Sequence, residues 1–283
     1  MVLAAATLYL ISLSSMHSNG LADPGGQGSL SDHPSSQLTL EDPPELQSWL
    51  GQCLAQIEAD PSRAHVQAQI RRDTSTGTER ILANHCLGLA SVAMQRWAEA
   101  QRAFTASMAE APETEARWRA RLGAMAGNAA FMAREAQVAI RILNQAYLDA
   151  TDASAIELQA HILVDKARVL VHLNELNAAQ TAIAEAKILD PKNAEIYLLS
   201  ASLMRTQGRL EEAQEQIELA LQLEPAKPEI ILEAGLILML DDKEGAARLQ
   251  WEKLINLSPN TPYSEIARDY LKQLESNTLD EAL

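Results

Sequence analysis

The sequence predicts an all-α solenoid of stacked helix hairpins, and three observations carry the prediction. Pro191, Pro225 and Pro259 are evenly spaced, thirty-four positions apart, each closing a helix-like run, AKILDP, LQLEP and INLSP. A fixed period of this length marks a chain built by stacking one supersecondary unit. Inside each period the same side chains recur, with a small residue twelve before the proline and a large apolar one eight before it. The composition agrees: of 283 residues 47% are hydrophobic but only 4% aromatic, and no β-branched alternation of any length is present, which suits Ala- and Leu-rich helices better than a sheet.

The recurring residues have a packing rationale. Before Pro225 stand Ala213, Ile217 and Ala220; before Pro259 stand Ala247, Trp251 and Leu254; before Pro191 stand Ala179, Ile183 and Ala186. Ala201 and Gly235 lie twelve positions ahead of Ala213 and Ala247. Small residues at these two places let antiparallel helices approach closely, while the large residue fills the space between them. The proline ends the second helix because it cannot continue one. This pattern resembles the tetratricopeptide repeat family, whose pattern is a Leu-Gly pair, an aromatic, an Ala, a Phe and a terminal Pro over about 34 residues. Gly208, in TQGRLEEA, matches the family's turn glycine. The resemblance implies a right-handed superhelical solenoid.

Taken in order, the chain opens on an apolar run, VLAAATLYLISL. It is too short to span a bilayer, which needs about 20 residues, and has the length of a signal-peptide core, with a cleavage position after Ala22 in GLA. No Lys or Arg precedes it, so three alternatives stand: a start assigned downstream of the true one, a weak signal (1–22), or an N-terminal core helix. Residues 23–44 are rich in Gly, Ser, Pro, Asp and Gln, a composition that buries too little to offset ordering entropy, and read as a linker.

Residues 45–79 form a leading partial or atypical repeat. LQSWLGQCLAQIEADP reads as one helix ending at Pro61, with Cys53 at the large-residue position of a second repeat helix, followed by a short helix in AHVQAQIRRD. From about residue 80 to 275 the pattern is clear. Leu87-Gly88, Ala100, Phe104, Ser107 and Pro112 form one unit, with Trp97 where the family often has an aromatic. Gly127, Ala139, Leu143 and Ala146 form the next, with Thr151 in place of the proline and Gly127 thirty-nine positions after Gly88. Ala167 follows forty positions after Gly127, and the insertions are expected in the connecting turns. YSEIARDYLKQLE suits a terminal capping helix, and SNTLDEAL (276–283) a frayed tail.

Charge narrows the partner. The net charge is −15, which argues against nucleic acid. It is unevenly spread: residues 1–62 have no Lys or Arg and seven acids, 63–141 have eleven Arg and seven acids, and 142–283 have twelve bases and twenty-four acids. Solvated helix faces account for this, and so would a bipolar surface that orients a partner.

No Gly-rich phosphate loop, nucleophile elbow or HExxH is present, and His85 beside Cys86 lacks a second closely spaced pair for a tetrahedral metal site. The reading is therefore no enzyme, no cofactor and no metal. Cys53 and Cys86 are the two cysteines; under export they form a disulfide worth on the order of 3 to 4 kcal/mol, and otherwise they are two buried thiols.

The resemblance places binding in a concave groove lined by the first helix of each repeat. Carried over in phase, its positions are His85 and Leu89; Asn128 and Phe131; Asp165, Arg168 and His172; Ser202 and Arg205; and Glu233 with Met239. Asp165 and Arg168 have the spacing of an ordinary intrahelical ion pair. Glu233 interrupts the apolar run IILEAGLILML, where a lone carboxylate is costly, so it requires a cation, and Arg205 of the preceding repeat is the candidate. A family clamp for C-terminal carboxylates needs cations where this chain has Leu82 and His85; Asn128 alone fits it. The resemblance thus implies a non-catalytic scaffold or adaptor for a protein or peptide, in a bacterial-type periplasm, with no stable membrane span. Two alternatives stand beside it: an accessory subunit of an envelope assembly or secretion complex, and a cytoplasmic adaptor.

Overall fold

The computed structural model describes residues 44–281, so the signal-peptide expectation and nearly all of the linker lie outside the described residues. Among the described residues thirteen α-helices follow one another: α1 (Pro44–Ala59), α2 (Pro61–Thr74), α3 (Thr78–Ala93), α4 (Trp97–Glu110), α5 (Ala116–Met132), α6 (Ala136–Asp152), α7 (Ile156–His172), α8 (Leu176–Leu189), α9 (Ala194–Thr206), α10 (Leu210–Leu223), α11 (Pro228–Leu240), α12 (Glu244–Leu257) and α13 (Pro262–Glu281). All regular structure among the described residues is helical. The chain divides between Glu175 and Leu176 into two compact units, and no described helix is long and apolar enough to cross a membrane.

In the first unit, α3 with α4 and α5 with α6 are antiparallel hairpins, and consecutive helices pack in series. The small residue on the first helix is what lets the pair close. A Cβ added to Gly88 would lie 2.4 Å from the Phe104 ring, and one added to Gly127 would lie 2.5 Å from Leu143 Cγ. Both large residues are fully buried. Ser107 takes the place of the Ala found in other repeats, and its buried hydroxyl donates to Ile81 O at 2.8 Å, which removes the cost of an unmatched polar group.

The insertions lie in helices rather than in turns, contrary to the expectation from sequence. α5, α6 and α7 each have 17 residues, against 14 in α4 and 13 or 14 in α8 to α12. Three or four residues make about one helical turn, so the addition keeps the buried face in phase. Thr151 explains the length of α6: without a proline the helix runs on to Asp152, whereas α4, α8, α10 and α12 all end two residues before one.

Turns use one device whether or not glycine is present. Gln95, Arg134, Ser154, Asn174 and Asp242 adopt positive φ, as Gly208 does. In each case the next residue's N–H reaches back five carbonyls, as in Arg96 to Ser91 O at 2.8 Å and Arg209 to Met204 O at 3.0 Å. This is the Schellman closure, which satisfies the last carbonyls of a helix.

The leading segment holds the two helices read from its sequence, α1 and α2, and the second is longer than expected. Asp60 caps α2 by accepting from Arg63 N at 3.1 Å, with Pro61 in the first turn, so the short helix expected in AHVQAQIRRD has 14 residues. Cys53 on α1 and Cys86 on α3 are joined in a disulfide, Cα atoms 6.2 Å apart, and Arg71 stacks over Trp49 at 4.6 Å.

In the second unit, Trp251 fills the space over Gly235, where an added Cβ would lie 2.1 Å from its indole nitrogen, and that N–H donates to Leu232 O at 3.3 Å. α13 packs on α11 and α12, burying Ala267, Tyr270 and Leu274, with Tyr270 stacked on Trp251 at 5.0 Å. It continues through the expected frayed tail as far as Glu281.

Candidate functional site

The residues that the resemblance assigns to a groove lie on the first helices of the hairpins, and α5 and α7 bring five of them together. Asn128 on α5 donates through Nδ2 to Asp165 Oδ2 on α7 at 2.8 Å. Arg168, one turn on, donates through Nη1 to the other carboxylate oxygen at 3.2 Å. Phe131 meets the exposed His172 edge to face, ring centroids 5.3 Å apart. Asp165 is thus more than half of an intrahelical pair, because a neighbouring repeat also orients it. The five residues present a carboxylate held from two sides, a half-exposed guanidinium, an amide and two rings.

At α3 the groove positions are closed. His85 is only 4% exposed and Leu89 is buried with it. Neither ring nitrogen of His85 has a hydrogen-bond partner, and its ring stands edge-on to Phe104 at 6.1 Å. Burial, with the positive charge of Arg121 second, lowers its pKa from 6.5 to about 4. His85 is therefore a neutral core residue at physiological pH. The helical phase that assigns it to the groove takes no account of how tightly α3 is covered.

In the second unit, Arg205 on α9 meets Glu233 on α11 through Nε to Oε1 at 2.6 Å and Nη2 to Oε2 at 3.4 Å. Their side chains are 9% and 10% exposed. Burial opposes the Arg205 charge, and the Glu233 carboxylate and its hydrogen bond outweigh that, holding the guanidinium above its ordinary range. The apolar helix explains the arrangement: Glu233 lies among Ile231, Leu232, Ala234 and Gly235, all buried. Each group satisfies the other, and Ser202 and Met239 are half-buried nearby in sequence on the same helices.

Three polar arrangements escape a reading of the sequence. Lys187 donates to Ser200 Oγ at 2.8 Å and Gln216 Oε1 at 2.5 Å, over the Tyr197 ring, and burial lowers its pKa. Arg119 reaches the carbonyls of Met108 and Ala111 at 3.2 Å each and lies 3.5 Å from the buried Asp149. Asn84 lies buried beside a hollow between α2, α3 and α4. A lone Lys, Arg or Asn at helical spacing carries no signal of its own. Among the described residues no group of three His, Cys, Asp or Glu is placed to hold a metal ion.

No protein-family model and no curated protein matches the sequence. Solved structures do match. PilF of Pseudomonas aeruginosa is 13% identical, with 80% of this chain and 97% of that one covered at a TM-score of 0.59. The assembly chaperone of RpL4, Acl4, is 17% identical, with 85% and 99% covered at a TM-score of 0.59. BtubC from P. vanneervenii is 13% identical, with 76% and 91% covered at 0.56. At these identities the likeness is one of fold: an all-α helical repeat solenoid of the tetratricopeptide type.

Proposed function

We propose that the chain is a non-catalytic scaffold that holds a protein or peptide partner on the first-helix surface of α5 and α7. The observation that carries this is the set Asn128, Phe131, Asp165, Arg168 and His172, joined across two repeats while Arg168 and His172 keep exposure to solvent. A binding surface of this kind works by preorganisation, since the orienting contacts exist before a partner arrives. Arg168 would take a carboxylate or carbonyl oxygen, Asn128 a backbone amide, and the two rings an apolar or aromatic side chain. The site is confined to the first unit, whereas Ser202 and Met239 lie on α9 and α11 of the second. The groove reading drops His85 and Leu89, which are covered, and treats Arg205 and Glu233 as structural.

Export to a periplasm-like compartment belongs to the same proposal, supported by the apolar run at 2–13 and the Cys53–Cys86 bond, which suits an oxidising environment. Mass spectrometry of the protein from its native host tests it: a mature start near Asp23 with the disulfide intact supports export. An intact Met1 with free thiols contradicts it and favours a cytoplasmic adaptor.

A second reading, permanent assembly into an envelope complex, has its own observation. Ile188, Leu249 and Leu257 on the second helices α8 and α12 are 81%, 66% and 52% exposed. Photo-crosslinking in the host separates the two. A crosslinker at His172 that captures one defined partner, with none at Leu249, supports the groove; the reverse result replaces it with assembly through the second helices.

A further inference from the structure

A hollow lies on the other side of α3 from His85 and Leu89, and what it implies does not rest on the groove reading. It has a volume of about 810 Å³ and opens between the end of α2, the linker Ser75–Gly77, α3 and α4. That size falls within the range of sites for small ligands and short chain segments. On α3, Arg80, Asn84 and Leu87 line it, roughly 150° around the helix from His85 and Leu89.

Small or polar residues line the hollow where some other repeats have larger ones. Asn84 lies four positions before Gly88, the register at which α7 has Leu163 and α11 has Ile231, both buried. Ala103 and Ala106 on α4 face the space, at the register where α10 has Gln216 and Leu219 and α12 has Gln250 and Lys253. Asn84 is 2% exposed, yet no described residue hydrogen-bonds to its side chain. The amide is thus left to the hollow it borders, its donors and acceptor available to a ligand.

The charges around it are sorted. Glu110 is engaged by Arg80 at 2.7 Å, Asp73 by Arg72 at 2.9 Å, and Glu99 by His65 at 2.9 Å and Arg96 at 3.7 Å. The remaining lining cation, Arg102, is exposed and has no partner among the described residues. We infer that the hollow receives an extended acidic peptide segment. The Asn84 carboxamide donates to a backbone carbonyl and accepts from a backbone N–H, and Arg102 takes a carboxylate of the segment. Leu87, Ala103 and Ala106 supply an apolar floor that a bulkier side chain would have filled.

Isotope-labelled full-length chain, titrated to about 10 mM with acetyl-Gly-Glu-Gly-Glu-Gly-amide and its Gln counterpart, tests the assignment by NMR. The expected result is a saturable shift of the Asn84 side-chain amide with the Glu peptide, weaker by about threefold to tenfold with the Gln peptide or with Arg102→Gln. Asn84→Leu, which copies the Leu163 register of α7, is expected to abolish binding; Arg102→Gln, at an exposed position, keeps the test decisive if that variant fails to fold. The inference is overturned by an unmoved Asn84 resonance, by equal binding of the Gln peptide, or by shifts confined to Asn128 and His172.

Discussion

His85 offers a test in which the structure sets both sign and size. Its imidazole is buried with neither nitrogen paired, and burial together with Arg121 lowers its pKa from 6.5 to about 4. In the unfolded chain it titrates at its ordinary value, so between pH 6.5 and about 4 the unfolded state binds a proton that the folded state does not. Stability rises with pH wherever the unfolded state binds more protons. The contribution of the neutral ring is therefore fully present above pH 6.5 and is lost as pH falls toward 4. A difference of about 2.5 units corresponds to on the order of 3 kcal/mol, with a slope approaching about 1.4 kcal/mol per pH unit. His85→Leu removes both the proton and the two unpaired nitrogens, and is expected to gain about 1 kcal/mol near neutral pH. Urea unfolding followed by circular dichroism, from about pH 7 to about pH 4.5, gives the comparison. The carboxylates titrate in both proteins, so the difference between the two curves isolates residue 85. Parallel curves would refute the burial of a neutral His85 and return it to the groove.

Other consequences follow from the packing. Gly235→Ala forces a Cβ to within 2.1 Å of the Trp251 indole nitrogen and is expected to cost about 1 to 3 kcal/mol; Gly51→Ala, with open space around it, gains up to about 1 kcal/mol, and equal effects would deny the close approach of α11 and α12. Arg205→Met alone strands the Glu233 carboxylate and should cost about 3 to 5 kcal/mol, whereas Arg205→Met with Glu233→Leu recovers most of it, a coupling that a double-mutant cycle in denaturant reads directly. Reducing the Cys53–Cys86 bond, which closes a separation of 33 residues, lowers stability by on the order of 3 to 4 kcal/mol, visible as a lower midpoint in dithiothreitol; an unchanged midpoint would mean that α1 is not tied to α3.

How much of this is readable from the sequence depends on the range of the contacts. Gly88 with Phe104, Gly127 with Leu143 and Gly235 with Trp251 are each a contact within one hairpin at the same sequence offset, so a repeating pattern along the chain reports them directly. The Arg205–Glu233 contact is readable for a different reason: a carboxylate in an apolar run must find a cation, and the preceding first helix supplies one at the right height. His85 is not, because helical phase gives a direction and not what covers it. The added turns of α5, α6 and α7 point a sequence reading toward loops because insertions in solenoids are tolerated there, while a whole helical turn preserves the packed face equally well. Positive φ at Gln95, Arg134, Ser154, Asn174 and Asp242 has no glycine to announce it. The hollow beside Asn84 is bounded by residues from three helices, and an absence of volume leaves no motif.

The groove on α5 and α7 is the central claim, and Arg168 is its most exposed charged member. With the partner captured at His172 in hand, isothermal titration of wild type and Arg168→Ala tests it most directly. A loss of affinity of about tenfold or more is expected, since truncating an oriented Arg at a binding centre costs on the order of 2 kcal/mol. Thermal stability should be nearly unchanged, because the Asp165–Arg168 pair is an intrahelical one worth a few tenths of a kcal/mol. Unchanged affinity with unchanged stability would contradict the groove and move the partner to another face.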